Sequence, residues 1–175
     1  TALILAASLD APLRAEEKID SGAYLAARVA ETENDFRSAS GWYGKAIIAD
    51  SENPQLLDGA ILAELGLGDF SLAIDAAKLR KGLKGDPSQL AELALLADEA
   101  KREDYSAIIA DADGGRDLGD LANSLVVAWA KVGEGKMSEA IADFDALTKK
   151  KGYEAFGFYH KALALASVGD FEGAD

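Results

Sequence analysis

The fold is predicted by the stretch Gly68-Asp69-Phe70-Ser71-Leu72-Ala73, in which a glycine and an aspartate precede an aromatic residue and, one helical turn later, an alanine. Comparable stretches begin near residues 34, 103, 135 and 169. Their large apolar residues lie 32 to 35 residues apart: Phe36, Phe70, Tyr105, Met137 and Phe171. A period near 34 residues in a helix-forming sequence is the signature of stacked helix-turn-helix repeats.

The composition favours helix almost throughout. Hydrophobic residues make up 49% of the 175 residues, alanine and leucine are abundant, and there are only three prolines. Such a chain is not disordered, and its composition has a high helix propensity. The sequence therefore predicts an all-α chain without strands.

The turns and breaks place five first helices and five second helices in alternation. The first helices are expected at 21–33, 54–67, 88–102, 118–132 and 153–168, and the second helices at 36–50, 70–83, 104–112, 136–151 and from 171 onward. Gly152 is expected to end the eighth helix, with Lys149 to Lys151 in its last turn. The tenth helix stops at Asp175 after about one turn. The array is therefore predicted to be truncated in its fifth repeat and to be the N-terminal piece of a longer array.

These turns resemble those of tetratricopeptide (TPR) repeats over residues 20 to 175. The alanine after each turn fits the family at Ala39, Ala73, Ala140 and Ala174, whereas the third repeat has Ile108 there. The usual tryptophan and glycine early in the first helix are largely missing, and another helical-pair solenoid is the alternative. The resemblance implies a right-handed α-solenoid of antiparallel helix pairs, about four and a half repeats long. It further implies a concave groove lined by first helices, protein or peptide partners, and no enzymatic activity.

Residues 1–19 differ from the repeats and form an N-terminal extension. Thr1 to Ser8 are mostly apolar and are followed by Asp10 and Pro12. The run could be the remnant of a secretory signal peptide, or an extra helix that covers the first repeat. The first interpretation favours a periplasmic or cell-envelope protein, and otherwise a cytoplasmic one is expected. A retained segment could also dock in a groove of its own chain or of a neighbouring copy, making a homo-oligomer.

The charge excludes some classes of partner. Thirty-one acidic residues against eighteen basic ones give a formal net charge of −13. No basic stripe is present that could neutralise nucleic-acid phosphates, and the N-terminal apolar run is too short to span a bilayer. We therefore expect no nucleic-acid binding and no membrane span. With no cysteine in the chain, thiolate metal sites and cysteine nucleophiles are excluded.

The sequence offers little chemistry for catalysis, and no cofactor or metal is expected. His160 is the sole histidine and lies within a predicted helix without an acidic residue nearby in sequence, which favours a groove or packing role. The segment 111–117 has the wrong spacing for a calcium loop, because Arg116 stands where the required glycine would be. It is interpreted as a helix end that runs into a solvated turn.

The groove is the better candidate for a binding site. Residues three and four apart share a face of a helix, so the face beside the core of each first helix should line the groove. The lining becomes more apolar and aromatic toward the C-terminal end; the predicted groove residues are Tyr24, Arg28, Asp58, Leu62, Leu93, Leu125, Trp129, Phe156, Tyr159 and His160, with Ala97, Val126 and Leu163 beside them. An apolar peptide or helix is the expected ligand, and a lysine- and asparagine-based carboxylate clamp is not expected.

The predicted function is that of a protein–protein interaction scaffold, forming the N-terminal part of a larger envelope protein. Two alternatives stay open. The array could be a structural or self-assembly arm whose groove is filled by its own chain. It could also position substrates for an enzyme domain encoded beyond Asp175.

Overall fold

The computed structural model describes residues 21–174, so the expectations for residues 1–19 lie outside the described residues. Helices follow one another along this whole part of the chain, and no strand occurs in it. The first helices are α1 (Ser21–Thr32), α3 (Pro54–Leu67), α5 (Gln89–Lys101), α7 (Asp120–Gly133) and α9 (Glu154–Ser167). The second helices are α2 (Phe36–Ala49), α4 (Phe70–Gly82), α6 (Tyr105–Asp113), α8 (Met137–Thr148) and α10 (Phe171–Ala174).

All ten predicted helices are present, and one predicted boundary is wrong. Helix α8 ends at Thr148, three residues before the predicted end, and Lys149 is its C-terminal cap. Lys150 and Gly152 lie in the following turn, where Gly152 takes a φ of 89°. The three lysines therefore follow the helix rather than forming its last turn.

The repeated turn closes in the same way each time. Its first residue has a positive φ, which is 58° at Asn34 and 76° at Gly68. The N–H of the next residue then bonds to the carbonyl five residues earlier, as from Asp69 to Glu64 at 2.9 Å. This 6→1 bond is that of a Schellman motif and satisfies a carbonyl that the first helix leaves free.

The same turn starts the second helix. The carboxylate of Asp69 accepts a hydrogen bond from the Leu72 N–H at 3.2 Å, and Asp35 and Asp104 cap α2 and α6 in the same manner. Because an N-cap side chain satisfies one of the unpaired N–H groups, the aspartate fixes where the helix begins. A few local residues thus determine the boundaries of both helices in a pair.

The helices pack in sequence as a solenoid of antiparallel pairs. Each helix contacts the next, and α1 also contacts α3, as α3 does α5 and α7 does α9. The alanine of the repeat is fully buried at Ala39, Ala73 and Ala140, and one turn later the buried residue is Tyr43, Ala77 or Phe144. Small residues at these points let the helices approach closely, and the large rings fill the space between pairs.

The buried side chains form separate clusters along the solenoid. Two clusters lie in α1 to α5 and share Ala76 at their border, and a third, centred on Phe144, lies in α7 to α9. No Cα atom of α5 lies within 8 Å of one of α7. Helix α6 connects the two regions, and only Ile108 of its residues is buried.

None of the helices in residues 21–174 is long and apolar enough to cross a lipid bilayer.

Candidate functional site

The predicted groove residues lie on the five first helices, but those in α1 and α3 are partly engaged within the protein. Arg28 donates to both carboxylate oxygens of Glu31, at 2.9 and 3.0 Å. Asp58 accepts from Nε of Arg80 at 3.2 Å, and Arg80 is itself buried. Tyr24 is half-buried against the first cluster. Leu62 remains as the apolar side chain at this end that is open to a ligand, with 39% of its surface exposed.

Large apolar side chains are open to solvent on α5 and α9. Leu93 is 51% exposed, Phe156 46% and Tyr159 63%, and Leu163 beside them is 41% exposed. They occupy the positions predicted to face the groove. Exposed apolar side chains on one surface commonly mark a site for a partner.

Trp129 and His160 join α7 to α9 rather than standing free. The indole Nε1–H of Trp129 donates to Nδ1 of His160 at 3.0 Å, and the imidazole stacks on Phe144 with a 16° angle between the rings. Because Nδ1 accepts this bond, the imidazole carries its proton on Nε2. His160 therefore helps to position Trp129 and the adjacent ring of Tyr159, which meets it edge to face.

Leu125 and Val126 contribute less to an open surface. Both are half-buried, and Leu125 packs against the third cluster together with Trp129. The predicted groove residues of α7 therefore belong partly to the core. The exposed apolar residues of the predicted groove lie on either side of α7.

An apolar cavity of about 660 Å³ opens between α4 and α5. Leu93 and Ala97 line it from α5, and Phe70 and Ile74 line it from α4. Asp75, Lys78, Asp98 and Lys101 bring charged side chains to the same cavity. Its volume is within the range of sites that hold small molecules or large side chains.

The cavity forms here because of the residue that faces the aromatic ring at the start of the second helix. At Gly66 an added Cβ would lie 2.5 Å from the ring of Phe36, and at Gly133 it would lie 2.5 Å from that of Tyr105. These glycines let the aromatic ring of one repeat rest on the next first helix. Lys101 occupies the equivalent position for Phe70, which stays 59% exposed. A lysine in place of a glycine thus prevents the close approach and leaves the space open.

Sequence reasoning missed Phe70, Ile74 and Lys101 as cavity residues, because it treated Phe70 only as a marker of the turn. The signal was present in the alignment of the repeats, where Gly66 and Gly133 correspond to Lys101. The larger side chain of Lys101 at that position indicates that the second and third repeats are packed less closely there.

The segment predicted to be a solvated turn holds a buried charge, so that interpretation is wrong at Arg116. Its side chain is 1% exposed and pairs with Glu92, Glu99 and Asp111. The hydrogen bond from Lys81 lowers the pKa of Asp111 below its usual value. In residues 21–174 no group of three or more acidic or histidine side chains is arranged to hold a metal ion.

The solenoid resembles solved structures of low sequence similarity. One is YrrB, described as a TPR protein with an unusual peptide-binding site; it superimposes with a TM-score of 0.67 at 20% identity, over 91% of this chain and 82% of that one. The fold is that of the TPR proteins. A second TPR-like neighbour, MamA, has a TM-score of 0.67 at 19% identity, over 85% of this chain and 87% of that one.

By sequence, no protein-family model and no curated protein matches the chain. The sequence departs from the TPR pattern because the usual tryptophan and glycine are missing and the third repeat is irregular. Its turns nevertheless keep the fold. The structural likeness at this level of identity concerns the fold.

Proposed function

We propose that this TPR-fold chain is a protein–protein interaction scaffold that binds an apolar peptide or helix along its first helices. The observation that carries the proposal is the set of exposed apolar side chains on the predicted groove face of α3, α5 and α9. Leu62, Leu93 and Tyr159 are 39%, 51% and 63% exposed. TPR-fold neighbours, one of them described as having a peptide-binding site, favour the same function.

The cavity between α4 and α5 gives the proposed site an anchoring pocket. Leu93 belongs both to the cavity and to the predicted groove. A large apolar side chain of the ligand would enter beside Phe70 and displace water from a mostly apolar surface. The aromatic side chains of Phe156 and Tyr159 would contact a second part of the same ligand. The apolar run at residues 1–8 favours a place in the cell envelope.

Peptides selected from a random library on the immobilised protein would test the proposal. We expect the selected peptides to carry large apolar residues at alternating or helical spacing. Leu93→Ala and Tyr159→Ala should each weaken their binding about tenfold or more, because truncating a buried apolar anchor costs at least about 1.4 kcal/mol. Dissociation constants measured by fluorescence anisotropy would give the comparison.

Ile48→Ala on α2 is the matched control, since Ile48 is 88% exposed but lies on a second helix. Circular dichroism should show unchanged helicity in all three variants. Peptides that bind equally well to Leu93→Ala and Tyr159→Ala but not to Ile48→Ala would place the binding surface on the second helices and reject the groove.

Self-assembly is a second candidate because one face of α1 has no neighbour in residues 21–174. Leu25 and Val29 are 62% and 58% exposed. In α3 the equivalent residues Gly59 and Ala63 are buried, and Gly59 lies against Tyr43 of the preceding helix. Light scattering of the whole chain and of its Leu25→Asp variant would test this. If the chain assembles through this face, the assembly should dissociate in the variant. If both proteins are monomers, self-assembly is excluded.

A further inference from the structure

The contacts between first helices are interrupted once along the solenoid. Helices α1, α3 and α5 form one series of contacts, and α7 and α9 form another, but no Cα atom of α5 lies within 8 Å of one of α7. The buried apolar clusters divide at the same place. Elsewhere among the described helices a buried apolar cluster joins each first helix to the next, whereas here α6 contacts both α5 and α7 and no such cluster joins them.

A buried ion network fills part of the junction. Nη2 of Arg116 donates to Glu99 at 2.7 Å and to Asp111 at 2.9 Å, and its Nε donates to Glu92 at 3.3 Å. Lys81 of α4 adds contacts to Glu92 and Asp111. Burial disfavours the charge on Arg116, but its interactions with Glu99, Glu92 and Asp111 together outweigh this and raise the pKa of the guanidinium. The segment that follows α6 is thus bound to α5 and α6 through the Arg116 side chain, and Lys81 connects the same network to α4.

The backbone of the same residue holds the start of α7. The side-chain amide of Asn123 donates to the Arg116 carbonyl at 2.9 Å and accepts from the Leu118 N–H at 3.2 Å. One continuous polar connection therefore runs from Glu92 and Glu99 through Arg116 to Asn123. We call these four residues the polar latch. It lies at the junction where no buried apolar cluster joins α5 to α7.

The polar latch contains an unsatisfied group, and glycines lie on both sides of Arg116 in the chain. Nη1 of Arg116 is buried and has no hydrogen-bond partner within residues 21–174, so the network is not fully satisfied. The segment that would have to bend contains Gly115 and Gly119, with φ values of 103° and 84°. Glycine tolerates changes of φ and ψ that other residues resist.

We propose that this junction is a hinge. Helices α1 to α5 turn relative to helices α7 to α10 about α6 and residues 114–119, and the polar latch stabilises one arrangement. If the proposed function is correct, the hinge divides the binding surface: Leu93 lies on one side and Trp129 and Tyr159 on the other. A ligand that contacts both sides would then select one angle of the hinge. The hinge itself is tested without a ligand.

The absence of cysteine makes a pair of spin labels easy to introduce. Arg37→Cys on α2 and Ala142→Cys on α8 are exposed positions on opposite sides of the hinge, and Arg37→Cys with Gln89→Cys on α5 reports one side only. Distances would be measured by double electron–electron resonance in the otherwise native chain, and in Arg116→Met and Asn123→Ala. Arg102→Met is the control, because Arg102 makes exposed ion pairs with Asp98 and Asp104.

We expect Arg116→Met and Asn123→Ala to widen the distribution of distances between labels at residues 37 and 142 by more than Arg102→Met does. The distribution of distances between labels at residues 37 and 89 should stay unchanged. Asn123→Ala leaves no buried charge unpaired, so it decides the question if Arg116→Met lowers the helicity. Unchanged distributions across the hinge in Asn123→Ala would overturn the proposal. So would widening of both distances together, because that would mean general loosening of the solenoid.

Discussion

Tyr43 shows how a single residue connects two helices of the first repeat to the third helix. Its ring is fully buried, and its hydroxyl donates to Glu31 of α1. Burial of the phenol, followed by its hydrogen bond to Glu31, raises the pKa of Tyr43 from 10.0 to about 12. The neutral hydroxyl is thus the form that the folded protein requires.

Stability should therefore decrease in alkaline solution. The unfolded chain ionises Tyr43 near its ordinary pKa of 10.0, whereas the folded protein resists ionisation until about 12. The contribution of Tyr43 to the stability of the folded protein is complete below pH 10. It is lost as the pH rises through this window, because ionisation stabilises the unfolded state before it stabilises the folded state. Urea unfolding between pH 8 and 11.5 should give a steeper loss for the native chain than for Tyr43→Phe. Equal slopes would show that the hydroxyl is not held neutral.

At the scale of helices, glycines have opposite roles in α2 and α3. A Cβ added at Gly59 of α3 would lie 2.2 Å from Cζ of Tyr43, whereas one added at Gly44 of α2 meets nothing within 4 Å. Gly59 allows a close approach between helices, and Gly44 only lowers helix propensity.

Gly59→Ala should destabilise the protein by about 1–3 kcal/mol, because the buried ring of Tyr43 has no free space to move into. Gly44→Ala should stabilise it by about 0.5–1 kcal/mol, since alanine favours helix over glycine and no contact is disturbed. Thermal and urea unfolding of the two variants would measure the difference. If both changes stabilise, α2 and α3 are packed less closely than the structure indicates.

The sequence predicted the helices well because their boundaries depend on local chemistry. Asp35, Asp69 and Asp104 each cap a helix within three residues of themselves. The features that sequence reasoning missed depend on pairs distant along the chain. Phe70 and Lys101 meet only after two helices have packed, and Arg116 is buried only because Glu92 and Glu99 face it from α5. A charged residue in a glycine-rich segment gives no local sign that it will be enclosed.

At the scale of the molecule, the division of the buried clusters bears on how the chain unfolds. A solenoid is stabilised by contacts between neighbours, so its cooperativity depends on every junction. At the junction between α5 and α7 no buried apolar cluster joins the first helices, as one does at the others. We therefore expect the two regions to unfold at different concentrations of denaturant.

The two tryptophans report on the two regions, since Trp42 lies in α2 and Trp129 in α7. Trp129→Phe leaves Trp42 as the reporter, and Trp42→Phe leaves Trp129. Fluorescence of these variants in urea should give transitions that do not coincide, and circular dichroism should show both steps. Superimposed transitions from both reporters and from circular dichroism would establish that the solenoid unfolds as one unit.

The weak lateral packing of α6, with Ile108 as its one buried residue, has a mechanical consequence. A tensile load applied to the ends of residues 21–174 passes through every inter-helix contact in series, and the least apolar one yields first. The solenoid would then lengthen by releasing α6 and the loop after it, while the helices on either side stay folded. In an optical trap this would register as a small, reversible extension that precedes the rupture of either region.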